Sequence, residues 1–244
     1  MSYPVIAPKF RGPPDSGNGG YSAGLLAATI EGAAEITLHA PPPLDRTLDL
    51  ASDGAIATLR LGKTVIASAR AAPLTHPALA DTEAVLSRVP DYATALDHQP
   101  SYAGFTRHNF PGCFVCGPDR ATRDGLRIFG APFANGVVAA WCPRADLAAD
   151  DGLIDEIYLH AALDCPSYFA FGDTRLVALL GRMHCEIHAR PRIDEPCVIY
   201  AWPVAEDGRK RHSAAVCVGG SGQLLARTVN TWIQIDGEIP KPPI

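Results

Sequence analysis

The chain has 244 residues, 47% hydrophobic and 19% charged, enough for one large or two small packed domains and too apolar for wholesale disorder. Gly and Pro number 22 each, above their average usage of roughly 12% together, so turns are frequent and a plain helical bundle is disfavoured. A net charge of −5, with no basic run longer than Arg209-Lys210-Arg211, argues against nucleic acid as a partner, and no apolar run is long enough to span a membrane.

In chain order, residues 3–7 offer at most one short strand. Pro4, Pro8 and Lys9 interrupt the stretch where a signal peptide would keep its apolar core, so the chain reads as cytoplasmic. The turn-rich run Asp15-Ser16-Gly17-Asn18-Gly19-Gly20 then caps a predicted helix over 21–34 carrying Leu25, Leu26 and Ile30. Residues 35–39 alternate as a half-buried strand does, and 46–50 read as another. Residues 55–61 and 64–69 form a predicted hairpin turning at Gly62-Lys63. Residues 73–111 are a mixed, Pro-containing linker with one predicted helix over 82–88. Strands are expected over 126–129 and 136–142. A second apolar helix over 155–170 follows, kinked or split at Pro166. Strands over 184–188 and 196–201 precede a second hairpin, 214–218 and 223–229, around Gly219 and Gly222.

A repeat runs through this order. His39-Ala40-Pro41-Pro42-Pro43-Leu44-Asp45 and His188-Ala189-Arg190-Pro191-Arg192-Ile193-Asp194 share the pattern H-A-x-P-x-[LI]-D at an offset of 149 residues. Each copy lies after a helix and a strand and ahead of a hairpin, so the chain reads as an internal duplication. The units are 1–110, shortened and including the linker from about 73, and 111–244.

Seven cysteines at scattered positions do not form a secreted disulfide framework. Cys113-Phe114-Val115-Cys116 has metal-ligand spacing, yet no second such pair exists and His108 is one further donor of the four a zinc site needs. A tight turn is the expectation there, with no metal and no cofactor.

A helix wrapped by an antiparallel sheet, present twice, resembles a tandem (double) hotdog of class α+β, and specifically the PaaI-like acyl-CoA thioesterases. Three passages carry the resemblance: Cys113-Phe114-Val115-Cys116-Gly117-Pro118 with Gly125-Leu126-Arg127, Asn18-Gly19-Gly20 where the family often has His-Gly-Gly, and Ala162-Leu163-Asp164 in the second helix. It implies acyl-CoA or acyl-carrier thioester hydrolysis. Asp164 would be the acid, and Gly19 and Gly20 would donate backbone N–H groups at a helix start beside Asn18. It also implies an acyl pocket between the units lined by Tyr21, Leu25, Ser167 and Tyr168, with Phe169. The first helix lacks an acid near Ala27 and the second lacks Gly-Gly at its start, so one site is expected where the duplication offers two. Asn18 in place of His cannot titrate.

Two other readings stand beside it. Asp155 and His160 match the D-x4-H spacing of hotdog enoyl-CoA hydratases, although residues five apart on a helix diverge. A non-enzymatic acyl-ligand binder is the third. A homodimer through a paired edge strand is a further expectation.

Overall fold

The computed structural model describes residues 2–243. The first half contributes α1 (Gly19–Ala27), β1 (Ala34–Leu38), β2 (Asp49–Ser52), β3 (Ile56–Leu61) and β4 (Thr64–Ala71). The linker carries α2 (Thr82–Leu86) and α3 (Tyr92–His98). The second half contributes β5 (Ala131–Phe133), β6 (Gly136–Trp141), α4 (Glu156–Ala162), α5 (Cys165–Phe169), β7 (Ala178–Ile187), β8 (Cys197–Asp207), β9 (Lys210–Val218) and β10 (Leu224–Gln234). All ten strands lie in one sheet of order β2-β3-β4-β1-β7-β10-β9-β8-β6-β5, with antiparallel pairing between neighbours. The expected two sheets are thus fused at β1 and β7. There Glu35, in register with His184, pairs with its own counterpart 149 residues on, so a pseudo-twofold axis passes between the two strands.

The sequence repeat is a backbone repeat. The amides of His39 and Ala40 both reach the Ile66 carbonyl, and those of His188 and Ala189 both reach the Leu225 carbonyl. The Pro42 carbonyl accepts from Gly17, just ahead of α1, and the Pro191 carbonyl accepts from Ile154, just ahead of α4. Each copy ends on an aspartate in the left-handed region, Asp45 at φ 52° and Asp194 at φ 59°. Aspartate is among the few residues with a side chain that enter that region readily. The motif therefore ties the start of each central helix to its own strand.

One buried cluster fills the space between the helices and the sheet, with Leu26, Ile36, Leu59 and Ile66 from the first half and Leu159, Met183, Ile199 and Ala215 from the second. A second cluster lies on the opposite face, where Leu74, Leu79, Val85 and Ala95 of the linker cover Val138, Tyr200, Trp202 and Val216. The linker, assigned by sequence to the first unit, packs against the sheet of the second. Removing that apolar surface from water is the driving force for both layers.

Several predicted elements shift. The first helix stops at Ala27 where 34 was expected. The chain turns there, with Thr29 bonding back to Leu26 through its amide and its hydroxyl, and passes a left-handed Gly32 before β1. Residues 126–129 form no strand, because Gly125 (φ 106°) and Arg127 (φ 55°) take the backbone out of the extended region, and the short strand there is Ala131–Phe133. Residues 3–7 make a single isolated bridge, Val5 to Thr47. The helix α3 was not expected.

Candidate active site

The site begins where α1 and α4 cross. Asn18 caps α1, its Oδ1 accepting from the Tyr21 amide at 2.8 Å. Gly20 and Gly24 then let the helices meet almost backbone to backbone. A Cβ on Gly20 would stand 2.5 Å from Asp164 Cβ and 2.7 Å from the His160 carbonyl oxygen, and one on Gly24 would stand 2.8 Å from Ile157 Cα. As α1 advances from residue 20 to 24 its neighbour recedes from 161 to 157, so the helices run antiparallel. The start of α1 consequently faces the end of α4.

That end is broken. Pro166 has no N–H to continue the helical ladder, and α4 stops at Ala162 while α5 starts at Cys165 with the proline in its first turn. Asp164 occupies the break. Ser167 Oγ donates to its carbonyl at 2.7 Å, and that hydroxyl in turn accepts from Asn230 Nδ2 at 2.7 Å and Trp232 Nε1 at 3.1 Å, both on β10. Asp164 is 2% exposed. Its Oδ2 accepts from the Gly20 amide at 3.0 Å and from Asn18 Nδ2 at 2.8 Å, while Oδ1 is buried with no partner among the described residues. Burial pushes the carboxyl up to about 7, with the Cys113 thiol adding to the rise and the Gly20 amide and Asn18 opposing it. A cleft reaches this carboxylate, lined by Asn18, Gly19, Asp164, Tyr168, Phe169 and Trp232 among others. The Gly19 amide, the first of α1, has no acceptor among the described residues. A free helix-start N–H and a buried carboxylate thus border one cleft, the first able to hold developing negative charge and the second able to take a proton.

No protein-family model and no curated protein matches the chain. Among solved structures it is similar to the tesB protein of Mycobacterium avium subs paratuberculosis, at TM-score 0.58 and 11% identity, with 96% of this chain and 92% of that one covered. It is similar also to a candidate thioesterase of Novosphingobium aromaticivorans, at TM-score 0.57 and 14% identity, with 96% and 95% covered. Both likenesses run over the two halves together. The chain is a double hotdog.

Within this double hotdog the structure brings Asn18, Gly19, Gly20 and Asp164 together, one side from each half. Tyr168 lines the cleft, its hydroxyl donating to the Leu176 carbonyl and accepting from Asn109 Nδ2. Three other candidates lie elsewhere. Tyr21 stacks on Phe10 at 4.0 Å, with Phe114 and Tyr158 beside it, and does not line the cleft. Leu25 packs at the edge of the core, and Ser167 is fully buried as the hydroxyl that holds the helix break. Asp155 and His160 do not pair with each other. Asp155 caps α4 by accepting from the Ile157 amide, and His160 Nδ1 bonds the Glu156 carbonyl at 2.8 Å.

The hotdog site has a feature that sequence reading missed. The Sγ atoms of Cys113, Cys116 and Cys165 all lie within 4.8 Å of one another and line the same cleft. Neighbouring Cys116 and Cys165 hold the Cys113 thiol well below an ordinary cysteine, whereas burial pushes Cys116 and Cys165 up. No sequence spacing links residue 113 to residue 165; only the adjacency of Cys165 to Asp164 hinted at it. No helix among the described residues is long and apolar enough to cross a membrane.

Proposed function

We propose that this protein hydrolyses an acyl thioester, of coenzyme A or of an acyl carrier, in the cleft between its two halves. The observation that carries the reading is the seating of Asp164, at the break of the second half's helix, against the Gly20 amide and the Asn18 cap at the start of the first half's helix. The names carried by the two full-length structural neighbours, a tesB protein and a candidate thioesterase, support the same class of reaction.

In this reading the thioester carbonyl oxygen takes the Gly19 N–H and the positive end of α1, where an oxyanion is stabilised as it forms. Asp164 takes a proton from a water that attacks the carbonyl carbon. The tetrahedral intermediate then expels the thiolate as the C–S bond breaks, and the Asp164 carboxyl returns the proton to sulfur. Asn18 keeps Asp164 aimed at the helix start and, having no titratable group, supplies a hydrogen bond only. Tyr168 and Phe169 flank the acyl chain. The half-one equivalent of this site lacks the acid, so one active cleft serves each chain.

The test is a chromatographic count of free coenzyme A released from short, medium, aromatic and long acyl-CoAs, read without a thiol reagent because the chain carries seven cysteines. Release from at least one class is expected. No release from any class, with saturable binding of the same compounds, would make the chain an acyl-ligand binder instead.

A further inference from the structure

The three cysteines at the foot of the cleft form a constellation that the hydrolytic reading does not use. Cys113 and Cys116 come from the loop that leads into the second half, and Cys165 opens α5 on the other side of the cleft. All three are buried and unbridged. Their Sγ atoms lie within 4.8 Å of one another, and the Cys113–Cys165 separation is 3.7 Å. A disulfide would need about 2.0 Å between sulfurs. Two thiolates on a tetrahedral zinc ion, each about 2.3 Å from the metal, stand about 3.8 Å apart.

The loop is shaped to hold that spacing. Gly117, immediately after the Cys-x-x-Cys pair, donates its amide to the Cys113 carbonyl at 3.0 Å, and a Cβ there would collide with the Cys113 and Pro111 carbonyl oxygens at 2.5 Å. Only glycine closes so tight a turn without moving that backbone. Tyr102 Oη donates to the Cys116 carbonyl at 3.0 Å and fixes the other end. Asn18 Nδ2 stands 3.8 Å from Cys165 Sγ and 3.9 Å from Cys113 Sγ, a donor placed where negative charge on sulfur would need one. His108, whose Nε2 is buried without a partner, lines the same cleft.

From this geometry we propose that Cys113, Cys116 and Cys165 bind one thiophilic divalent cation, zinc, with a water or the His108 imidazole as its fourth ligand. The ion would tie the 113–117 loop to the start of α5, next to the residue at the helix break. Soft thiolate ligands in this number select zinc over magnesium or calcium. The inference stands independently of the hydrolytic reading, since it rests on the thiols, the turn and the nearby Asn18 and His108 side chains.

The experiment uses the full chain, reduced and stripped with a chelator, then titrated with Co2+ alone and afterwards with Zn2+. One equivalent of Co2+ is expected to raise a thiolate-to-cobalt charge-transfer band with tetrahedral d–d bands, and zinc is expected to abolish both. X-ray absorption of the zinc-loaded wild type should show three sulfur neighbours, a readout that needs no variant to fold. Cys165→Ser should lose the charge-transfer intensity contributed by one thiolate and bind at least tenfold more weakly, while Cys142→Ser, at an exposed cysteine, should bind as wild type does. No bound ion, an oxygen- and nitrogen-only shell, or binding indifferent to Cys165→Ser would overturn the proposal and leave three buried thiols packing as small apolar groups.

Discussion

The two helix starts of this molecule are the same structure put to different ends. Asn18 and Asp155 each cap a central helix, and Gly17 and Ile154 each anchor the chain ahead of it to the repeated proline motif. Beyond the caps the copies part. Gly20 of the first half corresponds to Ile157 of the second, and Ala27 to Asp164. Where the second half's carboxylate meets the first half's helix start, a cleft holds a free amide, a buried acid and three thiols. Where the first half's Ala27 corresponds to that acid, Ala27 lies in the apolar core with Ile157 packed against it, and the Ile157 amide is already taken by Asp155. Duplication has left one end chemical and filled the other with core.

That contrast can be broken at several points. The largest effect is expected from Gly20→Ala, whose added Cβ meets three atoms closer than 3.0 Å, two of them backbone. It should cost about 3 kcal/mol, the upper range for overpacking, and remove turnover with it; a denaturant midpoint close to wild type would show that the helices can part. Ala27→Asp restores an acid at the silent end and should cost about 2 kcal/mol, as a buried polar group without a partner does. It should add no second active site, because the Ile157 amide that would seat the new carboxylate, as Gly20 seats Asp164, is already taken by Asp155; a doubled turnover number would show that the acid alone was missing.

Asn18→Ala removes both a helix cap and a bond to Asp164, so a loss of about 1 kcal/mol is expected from the cap. Turnover should fall by roughly 10- to 100-fold with little change in KM, as for a group that orients a catalytic one. A rise in KM alone would place Asn18 in substrate binding. The smallest effect belongs to Asp155→Asn, which keeps a capping oxygen and should stay within about 0.5 kcal/mol of wild type. Its turnover with saturated and enoyl thioesters should be unchanged. Loss of water addition to an enoyl thioester would instead revive the Asp155 and His160 pairing.

Much of this architecture was legible in the residues. H-A-x-P-x-[LI]-D announced the duplication because a left-handed aspartate and a proline carbonyl are needed at fixed places in each copy. Asn18-Gly19-Gly20 and Asp164 stood out because a cap followed by two glycines, and a lone acid in an apolar helix, both demand a reason. The rest depends on contacts that sequence distance hides. Ser167 looked like a pocket residue, and only the approach of Asn230 and Trp232 from β10 makes it a strut. Tyr21 follows the glycines by one residue, yet helical rotation carries its ring to Phe10 and away from the cleft. The cysteine pair read as a turn until the fold delivered Cys165 to it. The end of α1 was overrun because an alanine-rich stretch gives no contrast between helix and turn.

The central claim is that Asp164 does the chemistry at the single cleft, and Asp164→Asn tests it most directly. Asparagine can keep the bonds to Gly20 and Asn18 through its oxygen and place its NH2 where Oδ1 now lies unpartnered, so the fold should melt within a few degrees of wild type, a change of no more than about 1 kcal/mol. Coenzyme A release from the best acyl-CoA should fall by about 100-fold or more, the usual scale for losing a general base, with acyl-CoA still bound. An Asp164→Asn protein that is folded, binds substrate and turns over at the wild-type rate would contradict the account.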